Sequence, residues 1–374
     1  MFRMVTAELW MALLGVSLVV VIFVFVLRSV APVMPFFYSN AVIQARASAL
    51  LKGSQWKDLA ENKSLSELAN NLKGSDYGDD SLGKATNISE FHAAVEQTFI
   101  KRAIEIEKLS PKKMLPVFSA YNMFWEAKML KTFYRSRFNM HDAEVPDDLE
   151  KKGLVFAVGN ITDNILRHLS ETKTVKDIRV VMLQTEYANV FEEEHSSIQE
   201  FEVALDNFVL RRFLETAEKI RMHDAKAISE IMKTKFDILN ILALLKAETR
   251  GIPKDEREKI LIKTGSEVSK LIPKLVNAKD ISDFVDLCSK LRFYDALKEG
   301  LDAFKKDGSL AQFEKELYAY YKGFITGEEL KHTLGPYPIF AYLTKKEVEM
   351  RNILAISKGI DSGFAPKEIM EMVL

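Results

Sequence analysis

One order of short motifs occurs three times along this chain, and it constrains the fold more than any other feature of the sequence. The first copy opens with Ser64-Leu65-Ser66-Glu67-Leu68, leads to Tyr77, continues with Asn87-Ile88-Ser89-Glu90-Phe91 and reaches Trp125-Glu126-Ala127-Lys128-Met129-Leu130. The second runs from Thr174-Val175-Lys176-Asp177-Ile178 to Tyr187, then Ser197-Ile198-Gln199-Glu200-Phe201, then Phe236-Asp237-Ile238-Leu239-Asn240-Ile241-Leu242. The third has Asp280-Ile281-Ser282-Asp283-Phe284, Tyr294, Ser309-Leu310-Ala311-Gln312-Phe313 and Glu349-Met350-Arg351-Asn352-Ile353-Leu354. Phe91, Phe201 and Phe313 are about 110 residues apart, and so are Glu126, Asp237 and Glu349. Self-similarity at a fixed period marks a chain built from copies of one supersecondary unit.

The copies read as helices. In 91–106, Phe91, Ala94, Val95, Phe99 and Ala103 recur at steps of three and four, as do Phe201, Leu205, Phe208 and Val209. Such a stripe must be covered by a partner helix, because isolated helices of this length are marginal in water. No run alternates apolar and polar residues in the manner of a strand. A polar cap followed three residues later by Glu, as in Asn87-Ile88-Ser89-Glu90, signals a helix start before each Phe. Pro, Gly and charge gather from Pro146 to Gly153 and from Gly251 to Gly265. The expected division is therefore repeat 1 over 36–150, repeat 2 over 151–262 and repeat 3 over 263–374, all of them helical bundles.

The first thirty residues stand apart. Leu9 to Leu27 carry no charge, and Leu9, Trp10, Leu18, Phe25 and Leu27 typify this stretch. About 20 apolar residues let a helix cross a bilayer. The run exceeds the roughly 7–15 apolar residues of a cleaved leader, so an uncleaved single-pass anchor over 1–30 is expected, in contact with lipid. Arg28, Arg46 and Lys52 follow the span, whereas only Arg3, offset by Glu8, precedes it. That asymmetry places the main body on the cytoplasmic face of the cell membrane.

Several functions lack their parts. Lys plus Arg number 52 against 53 Asp plus Glu, with no basic stripe, so no nucleic acid is expected. No phosphate-cradling glycine loop and no nucleophile elbow occurs, and no catalytic residue or cofactor is assigned. The six histidines show no ligand spacing, and Glu192-Glu193-Glu194-His195 reads as a solvated helix end, so no metal is assigned. Cys288, the one cysteine, lies among Leu287 and Leu291 and reads as a small buried apolar residue. Asp237 and Asn240, like Glu349 and Asn352, are three apart and share a helix face. Two readings stand: these faces line a polar throat between the repeats, or they satisfy backbone groups where helices meet.

The stretches Gly335-Pro-Tyr-Pro-Ile-Phe-Ala-Tyr-Leu343, Lys346 to Leu354 and Gly363-Phe-Ala-Pro-Lys-Glu-Ile369, with the Tyr38–Leu51 run and its Arg46, resemble the C subunit of archaeal A-type ATP synthases, a relative of the d subunit of vacuolar ATPases. The resemblance covers 38–374. It implies three helical domains in a pseudo-three-fold funnel that sits on the membrane proteolipid ring and receives the tip of the central shaft. The function implied is that of a non-catalytic central-stalk rotor subunit, one copy per hetero-oligomer, serving proton (or sodium) transport linked to ATP synthesis or hydrolysis. Glu126, Asp237, Glu349 and Arg351 would then line the shaft-binding throat. The anchor departs from the family pattern; it lies either in the ring's lumen, on the axis, where it turns with the ring without a clash, or beside the ring, where it would obstruct rotation, and the rotation argument favours the lumen. The alternative is a membrane-anchored helical scaffold or adaptor of another assembly.

Overall fold

The computed structural model describes residues 2–78, 80–138, 155–219 and 224–374. Helix α1 (Phe2–Val30) is followed by a 3-10 turn and α2 (Phe37–Ser48). A first succession then runs α3 (Ser54–Ala60), α4 (Leu65–Leu72), α5 (Asp80–Gly83), α6 (Ile88–Leu109) and α7 (Leu115–Phe138). A second runs α8 (Asp163–Glu171), α9 (Val175–Met182), α10 (Ala188–Glu192), α11 (Ile198–Lys219) and α12 (Ala225–Thr249). After α13 (Lys254–Arg257) a third runs α14 (Glu267–Leu275), α15 (Ile281–Leu287), α16 (Tyr294–Asp307), α17 (Ala311–Glu329) and α18 (Tyr337–Asp361), and α19 (Pro366–Glu371) follows. Three shorter helices and two long ones thus recur in the same order. Among the described residues there is no strand, only an isolated bridge between Val158 and Ile161. The all-α class expected from the sequence is therefore observed. The Pro146 to Gly153 junction lies outside the described residues.

Local chemistry sets the helix starts. Ser64, Thr174 and Asp280 each accept, through the side chain, the N–H of the acid three residues on, at Glu67, Asp177 and Asp283. That bond satisfies one of the four free N–H groups at a helix start. Asn87 and Ser197 cap α6 and α11 in the same way, from Glu90 and Glu200. The third copy differs. Gln312 stands where the acid would be, its amide is drawn to Glu316, and Ser309 instead takes the N–H of Ala311.

The turn before each third short helix fixes the register of the copies. The N–H groups of Ser75, Thr185 and Leu291 bond back to the carbonyls of Leu72, Met182 and Cys288. Tyr77 and Tyr187 follow two residues later, and in the third copy that position is Phe293, not Tyr294. The Tyr38–Leu51 run is helical as far as Ser48, and Gly53, with a left-handed φ of 47°, then stands at the start of α3.

The long helices are tied across copies as well as within them. Helix α7 packs chiefly on α11 and α18 chiefly on α6, while α12 packs on both α11 and α17. One hydrophobic cluster accordingly joins Met123, Ala127, Leu130 and Phe133 of α7 to Phe201, Leu205 and Val209 of α11, with Leu166, Ile178 and Tyr187 beneath. Each second long helix completes the core of the following copy, and the last completes the first.

Candidate functional site

Helices α7, α12 and α18 converge on a cavity of about 380 Å³. Its wall takes Tyr121, Phe124, Lys128 and Lys131 from α7, Lys235 and Leu239 from α12, and Glu347, Met350 and Arg351 from α18, with Asp206 reaching in from α11. Phe124, Lys235 and Glu347 occupy matching positions in the three copies, two residues before Glu126, Asp237 and Glu349. Two residues rotate a helix by about 200°, so these two sets point in nearly opposite directions. Of the four residues nominated for a throat, Arg351 lines this cavity, and the three acids do not.

The cavity is strongly polar inside an apolar frame. Lys235 Nζ lies 2.7 Å from Glu347 Oε2, and Arg351 approaches Oε1 of the same carboxylate at 3.3 Å. Burial alone would raise the Glu347 pKa, but the Lys235 and Arg351 charges outweigh it and hold the carboxyl at about 2. Arg351 also donates to the Tyr318 hydroxyl at 3.0 Å. At the rim Lys131 meets Asp206 at 2.5 Å, and burial raises the Asp206 pKa although Lys131 opposes it.

The three acids face the other way, each gripping the segment that opens the next copy. Glu126, fully buried, accepts from the N–H of Asn160 at 2.7 Å and the hydroxyl of Tyr187 at 2.6 Å. Asp237 Oδ1 accepts from the hydroxyls of Thr264 and Ser266, both at 2.6 Å. Glu349 accepts from the N–H of Leu51 at 2.6 Å and pairs with the buried ammonium of Lys346. Phe293 explains why Asp237 takes two hydroxyls from the linker: the position that gives Glu126 its tyrosine carries no donor in the third copy. Burial raises the Glu126 pKa to about 7 and the Asp237 pKa to about 6, with their hydrogen bonds pulling the other way.

The asparagines three residues on share this task. Asn240 bonds both the N–H and the carbonyl of Ile262, and Asn352 does the same to Leu374, 112 residues further along. Met129 replaces this residue in the first copy. Elsewhere, Cys288 is buried, which pushes its thiol to about 12, and His195 bonds the Val190 carbonyl at 2.9 Å. His141 and His223 lie outside the described residues.

The sequence model of the family described as ATP synthase (C/AC39) subunit matches residues 39–372. The chain belongs to this family. Among curated family relatives, the A-type ATP synthase C subunit of Methanocaldococcus jannaschii is 27% identical over 369 residues, spanning 94% of this chain and 90% of its own. That of Pyrococcus furiosus is 24% identical, spanning 91% and 90%. That of Methanosphaera stadtmanae is 24% identical and spans 100% of this chain and 97% of its own. The family match begins just after α1, whereas this last relative also aligns with α1 itself.

Lys235 and Glu347 escaped the sequence reading. Their spacing matches that of the acids, but Phe124, Lys235 and Glu347 share no chemistry, so the period did not draw attention to them.

Proposed function

We propose that this chain is the non-catalytic central-stalk subunit that couples the rotating shaft to the membrane proteolipid ring of an A/V-type rotary ATPase, in one copy per complex, for proton (or sodium) transport linked to ATP synthesis or hydrolysis. Family membership supports the assembly, since the curated relatives are named as the C subunit of A-type ATP synthase. The observation that carries the coupling role is the closed succession of helix partners: α7 on α11, α12 on α17, α18 on α6. Such packing turns three helical units, here taken as 36–150, 151–262 and 263–374 in a pseudo-three-fold funnel, into one stiff body able to pass torque. The shaft tip sits over the cavity between α7, α12 and α18, where Arg351, Lys235 and Glu347 offer charge and Phe124 and Tyr121 offer apolar surface.

The apolar part of α1, Trp10–Val30, is long enough to span a bilayer. Trp10, Leu18, Phe25 and Leu27 on it are exposed, with nothing of the body covering them. In this reading it is a single-pass anchor on the ring's axis, with the body on the cytoplasmic face. A mild-detergent pull-down of the tagged full-length chain tests the assembly: recovery of proteolipid and shaft subunits supports it, and recovery of unrelated membrane proteins alone overturns it. Lys235→Ala with Arg351→Ala separates the site from the assembly. Lost shaft and retained ring is the expected result; an intact shaft complex moves the site elsewhere.

A further inference from the structure

Matching positions of the three copies meet in the cavity between α7, α12 and α18, and they carry different chemistry. Phe124, Lys235 and Glu347 are one such set. The residues four further on, Lys128, Leu239 and Arg351, share their helix faces and line the cavity too. Taken from each helix to the next, the pairs are Phe124 with Leu239, Lys235 with Arg351, and Glu347 with Lys128. One pair is apolar, one doubly cationic and one of mixed sign. The doubly cationic pair is short of an acid. Lys128 has Glu96 at 2.5 Å and Lys131 has Asp206 at 2.5 Å, each an acid of its own. Lys235 and Arg351 share Glu347. Arg351 gives one nitrogen to Tyr318 and one to Glu347, and makes no further hydrogen bond among the described residues. Neither cation holds an enclosed nitrogen without a partner, so the unused donors open into the cavity.

We propose that a carboxylate on the end of the shaft fills the place between Lys235 and Arg351, and that this contact fixes the shaft in one rotational setting of the three that similar copies would otherwise offer. The proposal rests on the reading of this cavity as the shaft's seat and names the chemistry that the seat selects. Two cations on one carboxylate leave a positive charge among surroundings that Tyr121, Phe124, Phe236 and Met350 make apolar. A second carboxylate cancels that charge and takes a forked hydrogen bond from the guanidinium, the geometry that arginine favours. Turned by one place, the same acid faces Phe124 and Leu239, where nothing replaces its lost water. Turned by the other, it faces the like charge of Glu347, with only Lys128, already held by Glu96, to offset it. A seat that refuses two settings of three holds the shaft against slipping by one copy under load.

The test uses the full-length chain assembled with its ring, to which purified shaft subunits are titrated. Arg351→Gln should weaken shaft binding about 10- to 100-fold and flatten its dependence on salt, the loss expected for a hydrogen bond between charged groups. Arg351→Lys should recover part of that loss. The double variant R351L/L239R moves the guanidinium one place around the cavity without altering total charge, and should bind as weakly as Arg351→Leu alone. Melting temperature and ring content report that each variant is folded and assembled. Should Arg351→Gln fail to assemble, Arg351→Lys carries the test, with a smaller loss expected and an unaltered affinity overturning it. If the double variant binds like the wild type, total charge suffices and the single setting is overturned. Leu239→Trp, which fills the cavity, separates this proposal from the reading beneath it. Binding abolished by Leu239→Trp but untouched by Arg351→Gln leaves the seat in place and removes the carboxylate. Binding untouched by Leu239→Trp removes the seat and the proposal with it. Shaft binding untouched by Arg351→Gln, with a phosphate-induced rise in the shaft-free assembly's melting temperature lost in the same variant, would give the place to a soluble anion and also overturn the proposal.

Discussion

Glu349 accepts a hydrogen bond at 2.6 Å from the backbone N–H of Leu51, 298 residues earlier in the chain. Its other oxygen pairs with Lys346, whose ammonium is buried, sits 4.3 Å over the Tyr77 ring and reaches Asp76 at 3.1 Å. One carboxylate thus fastens the third succession of helices to the opening of the first.

Removing that carboxylate leaves the buried Lys346 with Asp76 as its one carboxylate partner and the half-buried N–H of Leu51 without its acceptor. Glu349→Ala should cost about 2–4 kcal/mol, below the full loss for an uncompensated buried charge because Asp76 stays beside Lys346. Glu349→Gln keeps an acceptor for Leu51 but not the charge for Lys346, and should cost less. Denaturant unfolding of the three proteins in detergent checks the order; an alanine variant as stable as the wild type would show that the clamp holds nothing.

Glu126 and Asp237 make stability fall as pH rises. Burial lifts Glu126 to about 7 from an ordinary 4.5, so between these values the folded protein holds a proton that the unfolded chain releases. Stability from this group is full below pH 4.5 and lost as pH rises through 7, a change of about 3 kcal/mol. Asp237 adds a change of the same sign below about pH 6. Glu347 has the opposite sign, but its stabilisation is lost only as pH falls from the ordinary carboxyl range toward 2. Unfolding free energies compared at pH 5 and pH 7.5 should therefore favour pH 5, and Glu126→Gln should shrink the difference. A wild type indifferent to this step, or a Gln variant with the full dependence, contradicts the assignment.

Gly159 holds the Glu126 contact open. Its φ of 56° is left-handed, and a Cβ there would lie 1.9 Å from Glu126 Oε1. Gly159→Ala should cost about 2–4 kcal/mol, from backbone strain together with displaced hydrogen bonds. Gly251→Ala is the control, because it shares the conformation (φ of 65°) with open space around it, and it should cost only the strain. Equal losses at the two sites would show that the crowding does not matter.

Lys235 and Glu347 should couple. Glu347→Ala strands the buried Lys235 charge and should cost about 3–5 kcal/mol, Lys235→Ala leaves Glu347 with Arg351 and should cost less, and the double change should cost well below the sum. A double-mutant cycle on thermal unfolding reads the coupling directly; additive losses would mean that the pair is not energetically linked.

The sequence carried the fold class and the threefold recurrence of helix order clearly, because capping residues such as Ser64, Thr174 and Asp280 report local structure. Which helix fills which groove was not legible. The stripe on α11 demands a partner, yet copies of one unit offer chemically similar stripes, and nothing local says that α7 rather than α12 covers it. The candidate site suffered from a related ambiguity. Glu126, Asp237 and Glu349 were visible as a repeated set, but a period gives position along a helix and not the direction a face points. In the fold Glu126 and Glu349 hold backbone N–H groups and Asp237 holds two linker hydroxyls, while the cavity takes Phe124, Lys235 and Glu347, two steps earlier.

Leu51, Asn352 and Leu374 border one shared cavity with Glu349, so the seam between the third and first successions is closed by the same kind of grip as the seam between the second and third. An open row of three units would have two free flanks, where a twisting load concentrates as shear and the outermost helices peel first. A closed succession has no flank. Force applied to any one long helix is carried onward around the circuit as hoop tension, and no unit is first to give way by virtue of its place in the chain.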